Sequence, residues 1–196
     1  MGAVDRHKAV DLIRSAIDRG ITLVDTAEAY GDTEELLGQA LADGYRDRVV
    51  LATKVSRDLS PVGVRRAAER SLRLMKTDVI DLYQVHRFDP NVPVEETVAA
   101  IERLREQGYV RHIGVSNYTA HQLSRAQSVT NICTNQINYN ALNRSPEREM
   151  IPFCAARGLS LIAHSSLAKG ILSGRYTPGH QFSPDDERST FPGYAE

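Results

Sequence analysis

Apolar positions along this chain follow two alternating rhythms, short continuous runs and longer stripes at a spacing of three or four. The runs Ile21 to Val24, Arg48 to Lys54, Val79 to His86, His112 to Val115, Ile132 to Ile137 and Leu159 to Ala163 read as strands. Ile21 to Val24 places four apolar or β-branched residues in a row after Gly20, which suits a strand covered on both faces. Between the runs lie helical stripes. Asp5 to Arg19 sets Val10, Ile13 and Ile17 on one face and stops at Gly20. Thr33 to Ala42 turns Leu36, Leu37, Ala40 and Leu41 inward. Ser60-Pro61 is a hydroxyl cap followed by a proline already set for a first helical turn, and Val64, Ala68, Leu72 and Met75 continue its stripe. Pro93 opens a fourth helix and Thr119 to Ser128 makes a shorter fifth. Ser145-Pro146 is expected to open a sixth in the same way as Ser60-Pro61 opens the third.

Each strand ends in a polar group, at positions 25, 54, 86, 116, 136 and 164. The separations of 29, 32, 30, 20 and 28 residues are those of βα crossover units, and six in succession imply a wholly parallel sheet. A doubly wound open sheet is the alternative, but no G-x-G-x-x-G turn follows any strand. Polar side chains at every consecutive strand end suit a barrel, where they converge on one mouth. The expected architecture is therefore α/β, an incomplete TIM-type (β/α)8 barrel of about six parallel strands with outer helices. It occupies residues 1–174. Residues 175–196, rich in Pro, Gly, Ser and charge, read as loop or disordered tail.

Bulk properties remove several function classes. Lys and Arg number 24 against 25 Asp and Glu, so no charge excess points to nucleic acid or a membrane surface. No apolar run approaches the roughly 20 residues needed to span a bilayer. The first eight residues lack the apolar centre of a signal peptide. Cys133 and Cys154 form neither a disulfide framework nor a metal-site spacing, and buried free thiols fit a reducing cytoplasm.

Bringing Asp25, Tyr30, Lys54 and His86 to one mouth makes a specific chemistry available. A free tyrosine titrates at about 10, too high for ready proton exchange near neutrality. A neighbouring ammonium lowers that value, and a carboxylate beside the ammonium holds it in place. A histidine next to the phenol can orient a substrate oxygen. The result is a site that protonates an oxygen as it becomes an alkoxide. Two plainer readings stand beside this one: Asp25 and Lys54 as a structural ion pair, and His86 as an ordinary core histidine. No His-x-His or multi-carboxylate set occurs, so a metal-dependent barrel hydrolase is disfavoured.

The segments Asp25-Thr26-Ala27-Glu28-Ala29-Tyr30-Gly31 with Glu34, Lys54, Asp81-Leu82-Tyr83-Gln84-Val85-His86 and Ile113-Gly114-Val115-Ser116-Asn117 together resemble the aldo-keto reductases. The resemblance covers nearly all of residues 5–174. It implies NADPH-dependent reduction of a small-molecule aldehyde or ketone, with NADH left open as cofactor. It assigns Tyr30 as proton donor, Asp25 and Lys54 as its tuning pair, and His86 as the carbonyl-orienting group. It places Ser116, Asn117 and Gln136 on the nicotinamide carboxamide and His164, Ser165 and Leu167 in the cofactor-binding segment. No metal is implied. His164 stands where family members carry Tyr or Trp against the nicotinamide, which implies a smaller stacking area.

Compared with the family, the first and eighth barrel strands and the C-terminal cofactor segment have no counterpart here. That leads to an expectation of weak cofactor binding and poor discrimination between NADPH and NADH. The open edges leave three readings: a second copy covers them, the chain is an incomplete piece, or it is marginally folded. An inactive fragment and a cofactor-sensing regulatory subunit are the alternatives to a reductase.

Overall fold

A computed structural model describes residues 5–177, 179–184 and 186–190 of the chain. Part of two expectations, the leader-free start and the tail beyond 174, lies outside these described residues. Six helices alternate with six strands: α1 (Arg6–Asp18), β1 (Leu23–Asp25), α2 (Thr33–Ala40), β2 (Val50–Val55), α3 (Pro61–Met75), β3 (Ile80–Val85), α4 (Val94–Glu106), β4 (Val110–Ser116), α5 (Ala120–Gln127), β5 (Ile132–Asn138), α6 (Met150–Ala156) and β6 (Ser160–His164). All neighbouring strands pair in parallel, in the order β1-β2-β3-β4-β5-β6, and the sheet curls into a half-barrel with helices outside.

Side-chain caps set three of the six helix starts, those of α1, α3 and α5. Ser60 Oγ accepts from Gly63 N at 3.1 Å with Pro61 in the first turn, a cap that contributes about 1 kcal/mol. Thr119 and Gln122 close a reciprocal capping box that starts α5. Ser145-Pro146 behaves differently from Ser60-Pro61. It forms only a 3-10 turn, Ser145–Glu147, and α6 starts later, at Met150. In that turn Arg144 donates to Glu147, and the Tyr139 hydroxyl donates to the same carboxylate at 2.7 Å, so local charge pairing holds the chain in a tighter coil.

The apolar core lies between sheet and helices. Leu51, Val55, Tyr83 and Val85 from the strands meet Val64, Ala68, Met75, Val98 and Ile101 from α3 and α4, all buried. Alternation along the strands then turns Lys54, Gln84 and Gly114 to the other, concave face. Helix α2 approaches α3 closely enough that a Cβ on Gly38 would stand 2.3 Å from the Leu74 carbonyl oxygen.

The first strand departs from the expectation of burial on both faces. Ile21 is 51% exposed and Leu23 41%, because β1 has a neighbour only on the β2 side among the described residues. Strand β6 is likewise an edge, and its residues are half-buried or exposed. Within the segment after Gly174, Glu187–Thr190 makes a 3-10 turn and the Arg188 guanidinium sits over the rings of Phe182 and Tyr176, at 4.5 and 5.2 Å from their centroids.

Candidate active site

Parallel register carries the strand ends to one level. Asp25 pairs with Ala52, Lys54 with Gln84, Gln84 with Gly114, and Ser116 with Gln136. The concave face at these positions is polar, and Lys54 and Gln84 there have no solvent exposure. The lysine carries the charge. Its ammonium is clasped by Asp25 Oδ2 and donates to the Thr26 carbonyl oxygen at 2.8 Å. Burial lowers the Lys54 pKa, and the Asp25 charge and hydrogen bond oppose that shift. The second Asp25 oxygen accepts from Gln84 Nε2 at 3.0 Å, so both carboxylate oxygens are engaged.

Tyr30 lies beyond β1 on a turn and reaches back over this pair. The Lys54 ammonium stands 5.4 Å from the centre of its ring. The Tyr30 hydroxyl is 3.5 Å from His86 Nε2, and the two rings meet edge to face with centres 5.5 Å apart. The four residues expected at the mouth thus meet there.

The electrostatics differ from the expectation in one respect. The Tyr30 phenol is pushed up, not down, by burial first and the Asp25 carboxylate second, with Arg87 pulling the other way. The Lys54 ammonium is engaged by the Asp25 carboxylate. His86 is pushed down by burial, then by Lys54 and Arg87, with Asp25 opposing. At neutral pH the mouth therefore holds a protonated phenol beside an uncharged imidazole.

Ser116, Asn117 and Gln136 gather on the next two strands. Ser116 is buried and donates to the Gln136 carbonyl oxygen at 3.0 Å while accepting from Asn117 Nδ2 at 2.9 Å. Its hydroxyl is satisfied within the protein and serves to orient Asn117. Asn117 is the exposed member, with φ of 59°, a left-handed conformation that Asn tolerates better than most residues. Its side-chain oxygen lies 2.9 Å from His164 Nε2, which ties β4 to β6 across the mouth. His164 Nδ1 lies 3.1 Å from Ser165 Oγ. His164 is pushed down by burial, then by Lys54 and Arg87. Ser165 also takes a positive φ, 56°, and Leu167 is exposed beyond it.

Three participants escaped the reading of strand ends. Gln84 holds Asp25, Ser56 Oγ stands 2.7 Å from His86 Nδ1, and Glu28, buried, accepts from Ser56 N at 3.3 Å. The period of two would have found the first two, since Gln84 precedes His86 by two and Ser56 follows Lys54 by two.

Among the described residues no group of three or more His, Cys, Asp or Glu is placed to hold a metal ion. No helix there is long and apolar enough to cross a membrane.

A sequence profile described as the Aldo/keto reductase family matches residues 1–195. Aldo-keto reductase YhdN of Bacillus subtilis (strain 168) is 38% identical over 98% of the chain. The glycerol dehydrogenase AKR11B4 of Gluconobacter oxydans superposes with a TM-score of 0.92 at 31% identity, over 99% of this chain and 64% of that one. An aldo/keto reductase from Klebsiella pneumoniae, solved with NADP and acetate, superposes with a TM-score of 0.78 at 39% identity, over 87% of this chain and 60% of that one. The chain spans 62% of the length of the Bacillus protein. With the half-barrel, the register of its strand ends and these likenesses in hand, the chain belongs to the aldo/keto reductase family.

Proposed function

We propose that this chain carries the site of an NADPH-dependent carbonyl reductase, converting a small aldehyde or ketone to the alcohol. The observation that supports it best is the placement of Tyr30. Its hydroxyl faces His86 Nε2 at 3.5 Å, and its ring lies 5.4 Å from a buried ammonium. NADPH is the cofactor proposed because neighbours of this fold from Klebsiella pneumoniae were solved with NADP and with NADPH.

The residues fit the carboxamide end of such a cofactor. An amide can both give and accept hydrogen bonds, as a carboxamide requires, and Asn117 offers one at the exposed rim with Gln136 behind it. Ser116 keeps Asn117 in place. When bound, the reduced nicotinamide supplies hydride to the carbonyl carbon.

The protein supplies the proton. As negative charge grows on the carbonyl oxygen, Tyr30 gives its hydroxyl proton to that oxygen, leaving a phenolate and completing the alcohol. The raised phenol pKa keeps the donor loaded at neutral pH. The Lys54 ammonium beneath the ring limits the cost of the phenolate once it forms. His86, uncharged, donates from Nε2 to the same oxygen and holds it toward Tyr30. Asp25 and Gln84 fix Lys54 so that none of these groups has to reorganise during the step.

The two cysteines support a reading of the protein as intracellular. Cys133, half-buried, and Cys154, buried, are free thiols, which suits a reducing cytoplasm.

NADPH fluorescence measured against protein concentration tests the proposal. Saturable binding, weakened by Asn117→Ala, and loss of the signal when an aldehyde is added are expected. Saturable binding with no consumption across a panel of aldehydes and ketones would replace the enzyme with a cofactor-sensing protein. Absence of binding would remove both.

A further inference from the structure

Beneath the imidazole of His86, on the side away from Tyr30, stands a hydroxyl that no strand-end position accounts for. Strands β2 and β3 run in register with Val55 opposite Val85, so the next residues, Ser56 and His86, leave the sheet side by side. The His86 backbone is held to this level by its N–H, which donates to the Val55 carbonyl oxygen at 2.9 Å. The Ser56 backbone is held in turn by Glu28, whose buried carboxylate accepts from Ser56 N at 3.3 Å. Ser56 Oγ then lies 2.7 Å from His86 Nδ1, while Nε2 faces the Tyr30 hydroxyl.

A neutral imidazole has one N–H and one lone pair, so only one of its nitrogens can donate. Were Nδ1 protonated, Nε2 would turn a lone pair toward Tyr30. It would then compete with the substrate oxygen for the phenol's proton and repel that oxygen. With Ser56 donating to Nδ1, the ring's proton sits on Nε2 and both donors point to one place. We propose that Ser56 is a positioning residue that sets the tautomer of His86, so that Nε2–H and Tyr30 Oη–H converge on the carbonyl oxygen.

The inference rests on the role proposed above for His86, but its first test does not need turnover. In ¹⁵N-labelled protein above the ordinary histidine range, long-range couplings from the ring carbons distinguish the two tautomers. The wild-type chain is expected to show the Nε2–H pattern at His86. Ser56→Ala is expected to show a mixture or the Nδ1–H form, and Ser56→Thr, which keeps the hydroxyl, is expected to restore the wild-type pattern. With NADPH and an aldehyde, Ser56→Ala is expected to lower kcat about tenfold with little change in KM, and Ser56→Thr to recover it. An Nδ1–H pattern in the wild type, or an unchanged pattern in Ser56→Ala, overturns the proposal. If the tautomer follows Ser56 but His86→Gln reduces carbonyls at the wild-type rate, the role given to His86 fails and the control by Ser56 stands.

Discussion

Asp25 is the counter-charge of Lys54, and the burden of that ion pair falls on one side. The Lys54 ammonium has no exposure, while the Asp25 side chain keeps 27% of its own. Removing the carboxylate therefore strands a buried cation, whereas removing the lysine leaves a carboxylate that water and Gln84 still reach.

Asp25→Asn is expected to cost about 3–5 kcal/mol at neutral pH, the usual cost of an uncompensated buried charge, and Lys54→Met about 1–2 kcal/mol. The deficit of Asp25→Asn should shrink toward alkaline pH. Lys54 is already pushed down by burial, so the unfolded chain binds more protons below about 10.5 and stability rises as that proton is lost. Denaturant midpoints of the two variants between neutrality and pH 10 check both the order and the slope.

A second expectation concerns acid. His86 and His164 both titrate below the ordinary histidine range, chiefly through burial. Their neutral forms are favoured on folding, so their contribution is present above about 6.5 and lost as pH falls through the lowered values. Carbonyl reduction should be flat across neutral pH and decline on the acid side below the free-histidine value. Proton NMR titration of the two imidazoles checks the shifts directly, and either one titrating above the ordinary value would contradict this account.

Gly114 sits beneath the site where β4 shifts its register against β5. A Cβ there would stand 2.3 Å from Thr134 Oγ1 and 3.0 Å from Gln84 Cγ. Gly114→Ala is expected to destabilise by about 1–3 kcal/mol through overpacking. It should also displace Gln84 from Asp25, so kcat should fall about as far as Gln84→Ala lowers it. Thermal unfolding together with steady-state rates separates the two effects.

Much of this arrangement was legible in the chain. Polar residues ending each apolar run marked the concave mouth, because a parallel sheet in register brings equivalent positions to one level. Asp25, Lys54 and His86 were found that way, and Tyr30 as the phenol five residues beyond the first strand end. Ser56 and Gln84 were not, because each lies two residues from a strand end and reads as ordinary strand or loop polarity. The period of two puts them on the face of His86 and Lys54, and the pairing of Lys54 with Gln84 and of Val55 with Val85 brings them to their partners. The exposure of β1 was hidden for a related reason, since Ile21 to Val24 is equally apolar whether or not a strand lies beside it. The sign of the Tyr30 shift depends on its burial and then on the nearby Asp25 carboxylate, and no spacing in the chain records either.

The central claim is that Tyr30 supplies the proton to the substrate oxygen. It is tested most directly by Tyr30→Phe, which keeps the ring over Lys54 and its edge contact with His86 while removing the hydroxyl. NADPH binding by fluorescence and single-turnover oxidation of bound NADPH by an aldehyde should be measured on both proteins. The account predicts binding within about twofold of wild type and a rate lowered by about 10²–10⁴, the range for losing a general acid. A Tyr30→Phe protein that binds NADPH and reduces the aldehyde at the wild-type rate would contradict it.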